Sequence, residues 1–90
     1  MKLLRAYLWI RARLARADTV VVIRDGKASV ARGRLPGRLL TELSEVAAGC
    51  PDADGLILAY RLGSPPRLSF VGAITPSVAQ RLRNTWMAQL

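Results

Sequence analysis

The first part of the chain alternates apolar and basic positions at the period of a helix. Residues 2–17 place apolar side chains on one face and basic side chains on the opposite face at about 100° per residue. The apolar stripe comprises Leu3, Ala6, Tyr7, Ile10, Leu14 and Ala17. The basic face comprises Lys2, Arg5, Arg13 and Arg16, with Trp9 among them. We therefore predict a basic amphipathic helix over residues 1–18.

The pattern changes to that of strands after Asp18. Four β-branched residues follow Thr19 and favour a strand. The dipeptide Asp25–Gly26 predicts a two-residue hairpin, because a type I′ turn needs positive φ at both central positions. Pairing outward from this turn sets Arg24 opposite Lys27, Ile23 opposite Ala28 and Val21 opposite Val30. One face of the hairpin then carries Val21, Ile23, Ala28 and Val30, and the other carries Val20, Val22, Ser29 and Ala31.

Two helices and two more strands are predicted in the rest of the chain. The first helix runs from Pro36 to Ala48, with Pro36 in its first turn and Gly49 as its stop. The strand segments are DGLILAYRL and RLSFVGAI. The last helix follows Thr75 as N-cap and Pro76 at its first position. Its apolar side comprises Val78, Leu82, Trp86 and Leu90.

These elements predict an α+β fold. The N-terminal helix is followed by ββαββα, which gives a four-stranded, mainly antiparallel sheet with two helices on one face. We divide the chain into the helix at 1–18 and a single domain at 19–90. The segment GRLPGRLLTEL from Gly33 aligns without gaps to GAITPSVAQRL from Gly72, which leaves open whether the two halves are an internal repeat.

The second face of the sheet is also predicted to be apolar. Its expected members are Val20, Val22, Ala31, Ile57, Ala59, Val71 and Ala73. Strands that are apolar on both sides are normally covered on both sides. We expect protein to cover this face, supplied either by the N-terminal stripe or by a second copy of the chain.

Composition argues against an enzyme. The chain has no histidine, which excludes Ser–His and Cys–His nucleophiles. Glu42 and Glu45 lie three apart on a helix and are typical of a solvated face. The single cysteine, Cys50, is typical of a small, partly buried hydrophobe. We expect no catalytic residues, no metal, no cofactor and no small-molecule substrate.

The net charge of +8 favours anionic partners. Twelve of the fourteen basic residues are arginine, so compositional bias of the genome is an alternative source of this charge. Possible phosphate contacts gather around the first hairpin and its exit and on the last helix. They are Arg24, Lys27, Arg32, Arg34, Arg38, Arg81 and Arg83.

Three binding functions remain open. A basic helix with Tyr7 and Trp9 is typical of a module at an acidic membrane surface, with Lys2, Arg5, Trp9, Arg13 and Arg16 as its contacts. A protein partner, or self-association through the second sheet face, is the next possibility. Non-specific RNA or DNA binding is the alternative, although the sheet offers only Tyr60 and Phe70 for stacking. Arginines interrupt every apolar stretch long enough to span a bilayer, so we expect a cytoplasmic protein, peripheral on the inner face of the membrane.

The string VIRDGKASVARGRLPGRLLTEL, followed later by AQRLRN, resembles a small uncharacterised family of bacterial proteins. Members share an RDGK…RGR-P hairpin and helix entry and a QRLRN segment near the end. The resemblance covers Val20 to Asn84 and implies the fold and proximity to a membrane. Family members carry an apolar, membrane-spanning segment before the first strand. This chain departs from that pattern, because its N-terminal helix is short and rich in arginine.

Overall fold

The structure is a computed structural model that describes residues 16–60 and 66–89. Its elements are β1 (Thr19–Arg24), β2 (Lys27–Arg32), α1 (Gly37–Ala48), β3 (Asp54–Tyr60), β4 (Arg67–Ala73) and α2 (Pro76–Met87). The strands form one antiparallel sheet in the order β2-β1-β3-β4. These residues therefore have the predicted α+β class, with a four-stranded sheet and two helices. The predicted N-terminal helix lies outside the described residues except for residues 16–18, which form a turn and a bend rather than a helix.

The Asp25–Gly26 turn forms as predicted. Both residues have positive φ, 52° at Asp25 and 71° at Gly26, which are type I′ values. The predicted partners of Arg24, Ile23 and Val21 are also confirmed. A bulge between Val20 and Val21 then shifts the register, so that Val20 faces Arg32. Val20 is therefore paired with Arg32 rather than with Ala31, the partner that a continuous register would give.

Both helices pack on one face of the sheet. Leu39, Leu43 and Ala47 of α1 and Leu82 and Trp86 of α2 share a buried core. The strand residues in this core are Val21, Ile23, Ala28, Ile57 and Ala59. The predicted apolar side of the last helix is thus confirmed for Leu82 and Trp86, with Val78 packed against them, and Leu90 lies outside the described residues.

The predicted phase of β3 is wrong by one residue. Ile57 and Ala59 were expected on the second sheet face, but they lie in the helix-side core because Ile57 pairs with Val21. Leu56, Leu58 and Tyr60 point the other way. β3 is apolar at almost every position, so its own pattern does not select a face. The pairing of β3 with β1 decides which of its side chains face the helices.

The helix starts differ in how they are capped. Thr75 caps α2 as predicted, with its Oγ1 accepting from the Val78 N–H at 3.4 Å, and Pro76 follows at the first position. Pro36 was expected in the first turn of α1, but it is the N-cap, at φ −55° and ψ 137°. Its extended ψ keeps Pro36 outside the helix, which begins at Gly37.

The two ββα halves share a further feature at Gly33 and Gly72. Both glycines have positive φ, 80° and 99°. A Cβ on Gly33 would lie 2.6 Å from the Asp18 carbonyl oxygen, and one on Gly72 would lie 2.7 Å from that of Asp54. Each glycine thus lets the end of a hairpin approach the backbone at the start of its first strand. This equivalence, together with the central position of β1 and β3, supports a structural repeat.

Candidate anion-binding surface

The sheet separates the basic residues onto two sides of the domain. We call the face that carries Val20, Val22, Leu56, Leu58 and Val71, opposite the helices, the outer face. Strand alternation and the register place four basic residues on it. They are Arg24, Lys27, Arg32 and Arg67. Arg67 was not among the predicted contacts. The alternation of the charged Arg67 with the apolar Leu68 at the start of the strand could have indicated that Arg67 faces away from the core.

The outer-face cations are weakly engaged within the chain. Arg24 approaches Asp54 at 3.9 Å, with 70% and 63% of the two side chains exposed. An ion pair this exposed contributes little to stability, so either side chain can readily bind another charged group instead. Arg32 donates to the carbonyl oxygen of Ala17 at 3.5 Å, at the limit of a hydrogen bond. No ion pair is found for Lys27 or Arg67 within residues 16–60 and 66–89.

The basic residues of the two helices lie on the opposite side, where their contacts with other side chains are likewise long or exposed to solvent. Arg38 approaches Glu42 at 3.9 Å. The Arg83 guanidinium lies 5.1 Å from the centre of the Phe70 ring and also donates to Gln80. The Arg81 guanidinium lies 3.8 Å from the sulfur of Cys50.

The predicted phosphate contacts therefore do not form one surface. Arg24, Lys27 and Arg32 belong to the outer face, whereas Arg38, Arg81 and Arg83 lie on the helices. Arg38 pairs with Glu42, and Arg81 lines a surface depression with Glu42 and Glu45. Arg34 is exposed in the link between β2 and α1. Among the described strand residues, the register places one carboxylate on the outer face, that of Asp54, together with the four basic side chains.

The centre of the outer face is apolar and buried. Val20 is 1% exposed, Leu58 is not exposed, and Ala17 is 5% exposed and packs with them. Leu56, Tyr60 and Val71 are half-buried around this group. A single alanine methyl is too small to shield both a valine and a leucine side chain from water. Arg16, directly before Ala17, is exposed.

Of the predicted contacts in the N-terminal helix, only Arg16 is described. Lys2, Arg5, Trp9 and Arg13 lie outside the described residues.

The two aromatic residues of the sheet lie on different sides. Tyr60 belongs to the outer face, and Phe70 is half-buried against the helix-side core beneath Arg83.

Little in the described residues supports reaction chemistry. They contain no group of three or more His, Cys, Asp or Glu side chains that could hold a metal ion. Cys50 is half-buried, packs against the core and lines a cavity of about 280 Å³ with Pro51 and Val78. Glu42 accepts a hydrogen bond from Gln89 at 2.6 Å and pairs with Arg38. Neither described helix is long and apolar enough to cross a membrane.

No curated protein and no solved structure matches the chain. A family model described as "Protein of unknown function (DUF3634)" matches residues 3–90, a range that includes most of the predicted N-terminal helix. The chain belongs to the DUF3634 family.

Proposed function

We propose that this protein is a non-enzymatic module that attaches to an anionic phospholipid surface through the outer side of its sheet. In this proposal, the residues before Arg16 form the predicted helix and lay their apolar stripe over Val20 and Leu58. The basic face of the helix then points outward. Its contacts are Lys2, Arg5, Trp9, Arg13 and Arg16.

The observation that carries this proposal is the opposite burial of two neighbours, Ala17 and Arg16. Ala17 belongs to the apolar stripe of the predicted helix and is buried against the outer face. Arg16 belongs to the basic face and is exposed. These two residues therefore lie on the sides that the predicted pattern assigns to them. The proposal extends the same division of apolar and basic sides to the residues before them.

Charge supports an anionic partner on this side. The outward residues of the helix would lie among Arg24, Lys27, Arg32 and Arg67, and so form a broad basic surface. Each Lys or Arg near an acidic leaflet contributes about 1 kcal/mol to attachment. Tyr and Trp side chains favour the headgroup region, which suits Trp9. The acidic lipids of the cytoplasmic leaflet would place the protein on the inner face of the membrane.

Non-specific nucleic-acid binding is the alternative function and would use the same surface. The exposed Lys27 and Arg34 near the first hairpin favour it, because phosphate contacts need only accessible cations. Within the described residues, however, Tyr60 is the single aromatic side chain on the outer face. A sheet that reads single-stranded RNA usually offers two or three stacking aromatic residues. We therefore favour the membrane surface.

Co-sedimentation with vesicles tests the proposal. Wild-type protein is mixed with vesicles of phosphatidylcholine alone or of phosphatidylcholine with phosphatidylglycerol, at rising salt concentration. We expect binding only to the acidic vesicles, and we expect salt to release it. The variant Arg5→Gln/Arg13→Gln/Arg16→Gln should bind about a hundredfold more weakly, from the contribution of about 1 kcal/mol per cation.

The matched control is Arg38→Gln/Arg81→Gln/Arg83→Gln, which removes the same charge from the helix side. It should bind nearly as well as wild type, and circular dichroism should show that both variants are folded. Equal loss in the two variants would mean that net charge alone drives binding and would refute the proposed surface. Binding to RNA under salt conditions that abolish vesicle binding would favour the alternative.

A further inference from the structure

The two edges of the sheet are protected to different degrees. Charged residues stand at both ends of β2, Lys27 and Arg32. The Ser44 hydroxyl of α1 also accepts from the Ala28 N–H at 3.2 Å and donates to the Ala28 carbonyl oxygen at 3.3 Å. Natural proteins limit edge pairing by such charges and by covering the edge. β2 is therefore a poor template for another strand.

The β4 edge lacks these features. Arg67 is the only charged residue of its seven, and the stretch from Leu68 to Ala73 is uncharged and free of proline. Leu68, Ser69, Phe70 and Val71 are half-buried, and Gly72 and Ala73 are exposed. A long, uncharged edge strand is a ready template for pairing with another chain.

The ladder geometry shows which backbone groups are available on β4. Antiparallel pairs alternate between hydrogen-bonded and non-hydrogen-bonded, and the turn makes Arg24 and Lys27 a bonded pair. This alternation can be followed from β2 through β1 and β3 to β4 with the observed registers. It leaves the backbone N–H and C=O groups of Leu68, Phe70 and Gly72 pointing away from β3. Two contacts agree with this alternation. Ser44 reaches Ala28 on the other edge, and the Ile74 N–H donates to the Gly72 carbonyl oxygen.

No described residue outside β4 forms a hydrogen bond with the outward groups of Leu68 and Phe70. We propose that β4 pairs antiparallel with β4 of a second copy of this chain. The two-fold axis passes beside Phe70, so that the two Phe70 residues exchange both of their backbone hydrogen bonds. The two sheets then join into one sheet of twice the width.

Side-chain size is self-complementary in this register. Leu68 of one copy faces Gly72 of the other, which has no side chain and leaves space on the helix side. On the outer face, Ser69 lies opposite Val71, and Arg67 lies opposite Ala73. Each larger side chain therefore meets a smaller one, except at the Phe70 pair on the axis, where two rings can pack together.

Charge is complementary as well. Asp54 pairs with Ala73 inside each copy, so Arg67 of the second copy points across the small Ala73 toward the Asp54 carboxylate. That carboxylate is 63% exposed and only loosely paired with Arg24. Within one chain Arg67 pairs with Tyr60, at the far end of β4 from Asp54. Six strand positions separate the two ends, or about 20 Å, so Arg67 and Asp54 can approach each other only between copies.

The pairing does not depend on the proposed membrane function, although the two are compatible. A two-fold axis between antiparallel strands of one sheet is perpendicular to the sheet. Both outer faces then point in the same direction, and one anionic surface could engage both copies.

Sedimentation equilibrium of the full chain over a wide concentration range tests the pairing. We expect a monomer–dimer equilibrium in the wild type. Arg67→Glu and Asp54→Arg should each weaken the dimer at least tenfold, and the double variant should recover most of the loss. Arg67→Glu lowers the net positive charge, so general repulsion would make it strengthen association rather than weaken it.

Arg24→Ala is the control, because it removes the intrachain partner of Asp54 and leaves the edge intact. It should dimerise at least as well as wild type. Both exchanged residues are exposed, so the variants should fold. A chain that stays monomeric at all concentrations would overturn the proposal. So would a double variant no better than the single ones, or single variants that leave the dimer unchanged.

Discussion

The Ser44 hydroxyl forms hydrogen bonds with both backbone groups of Ala28, at 3.2 and 3.3 Å. These groups point away from the sheet at the β2 edge, so Ser44 takes the place of a missing neighbouring strand. Ala28 is buried against the helix-side core, and both hydrogen bonds are partly shielded from water. The contact also fixes the position of α1 on the first hairpin.

We therefore expect Ser44→Ala to lower the free energy of unfolding by about 1–3 kcal/mol, because it removes two part-buried hydrogen bonds, each worth about 0.5–1.5 kcal/mol. Chemical denaturation measures this change. Ser29→Ala, on the exposed side of the same strand, is the matched control and should change stability by less than about 0.5 kcal/mol. Equal effects in the two variants would show that the Ser44 bonds contribute nothing specific.

Gly55 lies where β3 and β4 leave no room for a side chain. A Cβ at Gly55 would contact the Val71 carbonyl oxygen and the Ile74 side chain. We expect Gly55→Ala to lower the free energy of unfolding by about 1–3 kcal/mol or more, because backbone must move to make room. Gly37→Ala, where a Cβ meets nothing within 4 Å, should be neutral or slightly stabilising. A tolerated Gly55→Ala would contradict the close approach of β3 and β4.

The covered outer face predicts energetic coupling between Leu58 and the N-terminal stripe. Leu58→Ala alone should cost about 2–5 kcal/mol, as expected for a fully buried leucine. If Leu14 packs over it, Leu14→Ala and Leu58→Ala should couple by about 0.5–3 kcal/mol in a double-mutant cycle. The control cycle pairs Leu14→Ala with Leu43→Ala, in the helix-side core, and should be additive. Additivity in both cycles would mean that the stripe does not cover the outer face.

Local signals in the sequence predicted much of the fold correctly. Asp25–Gly26 specified both a turn and the register beyond it, because only one turn type suits the twist of the strands. Thr75 with Pro76, and the spacing of Val78, Leu82 and Trp86, specified the start and the buried side of α2. Each of these signals acts within a few residues.

The errors arose where pairing between distant segments decides the structure. β3 is apolar on both sides, so its phase follows from its register with β1, which no short turn connects. No residue pattern in the sequence predicts the bulge that brings Arg32 beside Val20. The candidate surface depended on these pairings. For that reason the sequence grouped Arg24 with Arg81 and Arg83, although the sheet lies between them.

The fluorescence of Trp9 tests the central claim most directly. Trp86 is buried in the core, so its emission should be insensitive to added vesicles and should form a constant background. We predict that acidic vesicles shift the emission to the blue and that added salt reverses the shift. Vesicles of phosphatidylcholine alone should cause no shift, and Trp9→Phe should abolish it. An unchanged emission in the presence of acidic vesicles, with quenching by RNA instead, would contradict the membrane account and favour nucleic acid as the partner.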